Sequence, residues 1–389
     1  MPATLTLAGR FGSESLATLD RLTANFEAGN PDFRVEVVDV PGNAAERRQW
    51  FADSLGRRDA SLDIFLVDST WLAGLAIEGA LVPLGDYVES SPVDASAFLP
   101  STIQANSPGG QLLALPWSTD AGLLYYRKDL LDRHGYDPPT TWSELQRYAV
   151  EIRAKEELPY GYLWQGAAYE SLTCNTLEFL WSSGADVIDD HGRVIIDSPQ
   201  TQIALQQMSS LIASGASPAE VTTFTEGHAL AAFQQGNAVF MRNGSYAWAR
   251  LNGHDSLVRG LVGVAPLPAS CLGVQGLALS AHSLNPEGAF RLMAFLTGLE
   301  SQVQFALDAG QPPVLDLAYQ AARLLAAEPF SEDLYASVSS ARHRPHSVAY
   351  PALSEVIYGE VHKMLAGEQD AATTATAIQH RLETAPEQP

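Results

Sequence analysis

The chain has 389 residues, 46% of them hydrophobic, and no low-complexity tract, which is enough apolar material for one large or two ordinary globular domains. Its 23 basic residues against 45 acidic ones give a formal net charge of −22, and no Lys/Arg cluster is long enough to track a phosphate backbone, so nucleic acid is excluded as an expected partner. The longest uncharged stretch, 261–281, has spanning length, but Pro266, Pro268, its glycines and Gln275 exclude a lipid-exposed helix.

The opening "MPATLTLAGRFG" enters a strand-like alternation directly, without the basic and apolar regions of a signal peptide. Either the chain is cytoplasmic or an export signal has been removed. After the strand "ATLTLAG" and a loop "RFGSES", Leu16, Leu19, Leu22 and Phe26 mark the apolar face of a helix that Asn30 and Pro31 stop. The strand "FRVEVVDV" follows, then a helix near 44–55, a buried strand "LDIFLVD" ending at Asp68, and a helix from Trp71 to about Gly79. This alternation predicts a largely parallel sheet flanked by helices. The stretch "LPWSTDAGLLYYR" is expected to turn at Ser118 and Thr119 before a second buried strand.

From Thr141 the chain becomes helix-rich, through "TTWSELQRYAVEIRAK", "ESLTCNTLEFLWSSG" and "SPQTQIALQQMSSLIASG". Thr141 and Glu144 have capping-box spacing. The strand "NAVFMRNG" precedes the proline-rich run "LVGVAPLPASCLGVQGLALSAHS", read as a crossing that ends in a strand. A helix "NPEGAFRLMAFLTG" capped at Asn285 follows, and the tail "TAPEQP" is expected to fray.

In open sheets ligands sit off the carboxyl ends of strands, which singles out Ser13, Glu14, Asp68, Asn243 and Asp120. A carboxylate accepts hydrogen bonds from two vicinal hydroxyls, and a pyranose face packs on an aromatic ring. Glu14, Asp68 and Asp120, together with Trp71, Trp117, Tyr125, Tyr126, Trp164, Tyr169, Tyr246 and Trp248, therefore suit a sugar. The plainer reading makes the carboxylates helix caps or surface charges and the aromatics core.

Catalysis finds little support in the sequence. There is no HExxH, GxSxG, phosphate-loop or dinucleotide fingerprint, and "GRFGSES" lacks the terminal Gly-Lys-Ser/Thr of a phosphate loop. Cys174 and Cys271 lack CxxC spacing, which sets aside zinc and thioredoxin-type chemistry. Two buried thiols are the simpler reading, with one disulfide left open if the chain is exported.

The segments "FEAGNPDFRVEVV", "LDIFLVDSTWLAGLAIEGALVPL", "LPWSTDAGLLYYRKDLLDRHGYDPPTTWSEL", "AAFQQGNAVFMRNGSYAW", "GLALSAHSLNPEGAFRLMAFLT" and "RHRPHSVAYPALSE", in this order, resemble the extracellular solute-binding proteins of carbohydrate ABC importers, the maltose- and trehalose-binding family. The resemblance covers nearly the whole chain. It implies a two-lobed α/β periplasmic-binding-protein fold, each lobe a mixed, mostly parallel sheet flanked by helices, with a ligand cleft between the lobes. The implied N-terminal lobe is 1–112 and 261–312, and the C-terminal lobe is 113–260 and 313–389, with crossings near Gly110 to Ala114, Gly260 and Pro312.

By the same resemblance Glu14, Asp68 and Asp120 match sugar-hydroxyl acceptors, and Asn43 and Arg48 fall at polar ligand contacts. Gln165, Tyr169 and Glu170 correspond to a stretch lining the second lobe, Tyr246 to an aromatic contact, and Arg344 to a C-terminal donor. Two tryptophans of the family pattern are missing: Gly244 stands for one, and in "LGVQ" the motif runs Gly273, Val274, Gln275. Each lost ring removes a platform worth about 1 kcal/mol, which favours a compact, hydroxyl-dense ligand such as trehalose or a glucosyl-polyol. The implied function is capture of an α-linked disaccharide or glucosyl compatible solute of the trehalose, maltose, sucrose or glucosylglycerol type, for delivery to permease subunits. A glycosidase using the same carboxylates is the alternative. A monomer without metal or cofactor, periplasmic or extracellular and associated with the membrane, completes the expectation.

Overall fold

The computed structural model describes residues 2–40, 42, 44–189, 191–327 and 331–384, with the side chains of residues 13, 14, 44 and 45 outside the description. The expected fraying of "TAPEQP" falls on 385–389, also outside the described residues. Two compact units divide the chain. The first is Met1–Asp120, Gly273–Ser331 and His346–Val348; the second is Ala121–Leu272, Glu332–Pro345 and Ala349–Pro389.

The first unit is built on strands β1 (Ala3–Gly9), β2 (Phe33–Asp39) and β3 (Ile64–Asp68), and on β4 (Ala114–Ala121) and β9 (Cys271–Leu279). β1 lies between β2 and β3 and is parallel to both, while β3 is antiparallel to β9, which also pairs with β4. Period-two patterning makes this sheet two-sided. Leu5, Leu7, Ile64 and Leu66 pack with Leu19, Leu22 and Phe26 of helix α1 (Ser13–Gly29). Phe65 and Val67 face the other way, against Phe51 and Leu55 of α2 (Ala44–Gly56) and Leu72 and Leu75 of α3 (Leu72–Ile77). Burying a ring such as Phe65, edge-on to Phe51 at 5.3 Å, is worth roughly 1.5–3 kcal/mol.

The second unit holds a sheet of four strands, β5 (Leu123–Arg127), β6 (Tyr160–Leu163), β7 (Ala238–Asn243) and β8 (Val262–Pro266), in the order β6-β7-β5-β8. β5 is antiparallel to both β7 and β8, and only β6–β7 is parallel. The expected mostly parallel sheet is therefore corrected for this unit. β5 runs against both of its neighbours, so two of the three strand pairs in this sheet exchange hydrogen bonds antiparallel. β10 (Arg342–His343) pairs with Cys271 and Leu272 at the start of β9. The helices Trp142–Lys155, Glu170–Ser182, Pro199–Ala213, Tyr350–Leu365 and Ala371–Thr384 complete one hydrophobic core with Trp142, Trp164, Phe179 and Phe240 inside it.

The units divide at 120/121, 272/273 and 331/332, with a brief return at 346–348, where the sequence suggested 112/113, 260/261 and 312/313. Pairing explains the difference. β4 runs on through Asp120, β8 stays hydrogen-bonded to β5, and Val314, Leu315 and Ala318 pack on Phe98 and Val303 of the first unit. The expected turn at Ser118 and Thr119 is absent because β4 continues through them.

Local signals read from the sequence have mixed outcomes. Thr141 caps its helix by accepting from the Glu144 amide at 3.2 Å, but the Glu144 carboxylate reaches back to Thr140. Asn285 stands at the start of the Pro286–Leu296 helix without a side-chain cap bond. The expected loop "RFGSES" is helical from Ser13 onward.

Candidate functional site

The first unit contains a cavity of about 330 Å³ at the carboxyl ends of β1, β3 and β4. Arg10, Phe11, Gly12 and Ser15 line it from the segment joining β1 to α1. Leu66 and Asp68 come from β3, Trp117 through Asp120 from β4, and Gly273 to Gln275 from β9. Phe305 and Gln311 complete the wall.

Sheet register brings the two sides together: Asp68 at the end of β3 stands opposite Gln275 in β9. The Asp68 carboxylate accepts from the Thr70 amide at 2.9 Å and from the Thr70 hydroxyl at 2.7 Å. This cap starts the turn leading into α3 and fixes the carboxylate at the cavity. The Ser118 hydroxyl donates to Gln275 Oε1 at 3.4 Å, and Thr119 Oγ1 donates to the Gly273 carbonyl at 3.0 Å, so β4 and β9 hold each other's polar groups at the wall.

Trp117 forms the apolar part. Its ring lies 6.4 Å from Phe11 and 5.0 Å from Phe305, centroid to centroid. The Trp117 carbonyl accepts from Gln302 Nε2 at 2.9 Å, Gln302 Oε1 accepts from the Val314 amide at 3.1 Å, and the Thr119 amide donates to the Pro312 carbonyl at 3.3 Å. These bonds tie the segment that carries Gln311 to β4.

Charge of both signs meets here. Asp39, at the end of β2, accepts from the Phe11 amide at 2.9 Å and pairs with Arg10 at 3.0 Å, which fixes the segment that presents Arg10. Burial and then the nearby Arg10 hold the Arg47 guanidinium below its ordinary pKa, while Asp68 and Asp39 oppose that shift. The cavity thus combines fixed acceptors, a guanidinium donor, amides and hydroxyls around an aromatic floor. That set suits a neutral polyhydroxylated ligand.

Of the sequence candidates, Asp68, Asp120, Gly273 and Gln275 meet in this cavity. Glu14 lies in the first turn of α1 between lining residues Gly12 and Ser15, with its side chain outside the described residues, as is Asn43 altogether. Arg48 does not line the cavity; its guanidinium lies over α3, 3.5 Å from where a Gly74 β-carbon would stand.

The other candidates belong to the second unit. Gln165 is fully buried, with Nε2 donating to the Arg242 carbonyl at 3.0 Å and Oε1 accepting from Arg242 Nη1 at 3.1 Å. Tyr169 donates to Glu226 at 2.6 Å, and burial followed by that bond raises its phenol pKa. Glu170 Oε1 accepts from Arg344 at 2.9 Å and from the Tyr350 hydroxyl at 2.7 Å, and Oε2 accepts from Ser354 at 2.5 Å. Tyr246, half-exposed, begins the short helix Ala247–Leu251. Asn243 is buried at the end of β7. Half of the eight singled-out aromatics are core: Trp71, Trp117, Tyr125 and Trp164 are buried, and Trp164 donates to Ser217 at 3.0 Å inside the unit.

Arg10, Phe305 and Gln311 are among the lining residues that escaped the sequence reading. Arg10 follows directly on the last residue of β1, so the strand-end rule that selected Ser13 and Glu14 would have found it at a tighter setting. Phe305 and Gln311 reach the wall through contacts far along the chain and carry no local signal. Among the described residues, no group of three or more His, Cys, Asp or Glu side chains is placed to hold a metal ion, and no helix is long and apolar enough to cross a membrane.

Residues 12–303 match the family model described as bacterial extracellular solute-binding protein. A relative from Deinococcus radiodurans, a probable ABC transporter-binding protein, is 37% identical over 347 residues, covering 85% of this chain and 81% of its own. Among solved structures, maltose-bound MalE3 of T. maritima has a TM-score of 0.86 at 37% identity, with 98% of this chain and 99% of that one covered. The GacH receptor of Streptomyces glaucescens shares the fold at a TM-score of 0.83 and 24% identity, covering 98% of each chain. These matches agree with the motif order that resembled the solute-binding proteins of carbohydrate importers, and with the expected pair of α/β units. The chain belongs to the bacterial extracellular solute-binding protein family.

Proposed function

We propose that this chain is the substrate-binding component of a sugar ABC importer, holding its sugar in the first-unit cavity and handing it to the permease subunits. The observation that carries this reading is Asp68, Asp120, Gln275 and Arg10 gathered beside Trp117, with Arg10 and Asp68 at the carboxyl ends of the parallel strands β1 and β3. A carboxylate there takes up vicinal hydroxyls, while Trp117, Phe11 and Phe305, all nearly fully buried, supply the apolar backing of the wall. The similarity to a maltose-bound protein at 37% identity supports the same class of ligand.

The size of the cavity supports a small ligand. About 330 Å³ lies near the lower end of the roughly 300–1,000 Å³ common for small-molecule sites. One or two sugar rings match it better than a long oligosaccharide. The ligand we infer is an α-linked disaccharide or a glucosyl compatible solute, of the trehalose, maltose, sucrose or glucosylglycerol type. Gln275, where the family pattern has a ring, reads hydroxyls by donating and accepting hydrogen bonds.

Calorimetry against trehalose, maltose, sucrose, glucosylglycerol and their monosaccharides tests the reading. One of them is expected to bind, and at 100 times its Kd to stabilise the chain by about 2.7 kcal/mol, seen as a raised Tm. Failure of every sugar to bind would remove the proposal, and release of monosaccharide would replace it with a glycosidase.

A further inference from the structure

Cys174 and Cys271 are the only two cysteines of the chain, 97 positions apart and both in the second unit. The fold brings them together. On the Glu170–Ser182 helix, residues 170, 174 and 178 stand one turn apart on a single face. Residue 271, first in β9, lies against that face: its amide donates to Glu178 Oε1 at 3.1 Å, one helical turn from residue 174, and the nearness of the Cys174 thiol is among the causes that raise the Cys271 thiol pKa. The Cys174 Sγ also lies 3.9 Å from Glu170 Oε1.

Both residues are free thiols here, Cys174 half-buried and Cys271 buried. Their backbones are held by regular elements, an α-helix on one side and a paired strand on the other, since Cys271 also pairs with Arg342 of β10. With no third cysteine in the chain, intramolecular mispairing is impossible. The family is extracellular, and disulfides persist in oxidising compartments.

We propose that Cys174 and Cys271 form a disulfide on oxidation, stapling the Glu170–Ser182 helix to the start of β9. The oxidant is a small-molecule or protein disulfide. The Cys174 thiolate, on the more accessible residue, attacks one sulfur of the oxidant, forming a mixed disulfide and expelling one thiolate. The Cys271 thiolate then attacks Cys174 Sγ, forms the Sγ–Sγ bond and expels the second thiolate. The two cysteine protons end on the two released thiols, the chain is oxidised by two electrons, and the oxidant is reduced by two. Once Cys174 is held in the mixed disulfide, burial still disfavours the Cys271 thiolate, which makes the second step the slower one.

The staple closes a loop of roughly 100 residues, long enough for the unfolded chain to lose substantial entropy. It also fixes residue 271, two positions before the lining residue Gly273.

The test uses the full chain, reduced, freed of reductant and then treated with oxidised glutathione. Alkylation under denaturing conditions followed by mass spectrometry is expected to find no alkylated cysteine, a mass lower by about two hydrogens, and a linked peptide pair carrying residues 174 and 271. The oxidised form is expected to melt roughly 5–10 °C above the reduced form. Cys271→Ser is expected to trap glutathione on Cys174. Two alkylatable thiols after oxidation, glutathione retained on the unmutated chain, or a chain-to-chain dimer would each overturn the proposal. Should the serine variant not fold, the peptide map of the unmutated chain decides alone.

Discussion

The first-unit cavity and the buried cluster around Glu178 are both built of carboxylate, guanidinium and amide groups, yet they serve opposite ends. In the second unit, Glu178 is fully buried and Arg242 nearly so, and the guanidinium meets the carboxylate through two bonds, of 2.7 and 3.0 Å. Burial works against the Arg242 charge, but pairing with Glu178 outweighs it and holds the guanidinium pKa above its ordinary value. Gln165 accepts from Arg242 Nη1, and the Cys271 amide donates to Glu178. In the first unit, Asp68 and Asp120 are only partly buried and border a cavity. Polar groups enclosed on all sides fix the positions of strands. The same groups left beside a cavity are available to a ligand.

The largest effect of breaking this contrast is expected at Glu178→Ala, which strands Arg242 as a buried unpaired charge and should cost about 3–5 kcal/mol of stability. Denaturant unfolding measures it, and a loss under 1 kcal/mol would show that water replaces the carboxylate. Next is Gly122→Ala. A β-carbon at position 122 would stand 2.2 Å from Glu178 Oε1 and 2.8 Å from Arg242 Nη2, so the pair must shift; a cost of about 1–3 kcal/mol is expected in the same assay.

On the cavity side, Asp120→Ala is expected to weaken sugar affinity at least tenfold, since hydrogen bonds to a charged group are worth about 1.5–3 kcal/mol. Its unfolding midpoint should move less than that of Glu178→Ala. Calorimetry on the folded variant reads the first, and an unchanged Kd would make Asp120 structural. The smallest effect belongs to an exposed pair. Hydrogen bonds from Arg193 lower the Asp189 carboxyl to about 2. Because the folded pKa is depressed, its stabilisation is present above the ordinary value of 3.8 and lost as pH falls through about 2. Arg193→Ala removes the side-chain bonds but keeps the residue 193 amide, so it should lessen the slope of the stability profile in that window only, and an identical profile would mean the side-chain pair adds nothing.

Much of the cavity was legible because strand ends are legible. The continuous apolar run in "LDIFLVD" put Asp68 at a carboxyl terminus, and the same logic reached Asp120. It passed over Arg10, one residue beyond β1, in favour of Ser13 and Glu14. Gln165 was offered by the resemblance as a ligand contact; the fold places it fully buried and bonded to Arg242, 77 positions away, which no local signal shows.

The sequence by itself determined the α/β class, the order of the elements and the family, because hydrophobic period, caps and motif order are local properties that survive without neighbours. Only the tertiary structure decided the antiparallel pairing in the second unit, the positions where the chain passes between units, the gathering of Phe305 and Gln311 with Trp117 at one cavity, and the placing of Cys271 against the helix that carries Cys174. Those depend on which strands share hydrogen bonds and which side chains close a wall. Such contacts join residues far apart in the chain, and their energy resides in the packed core.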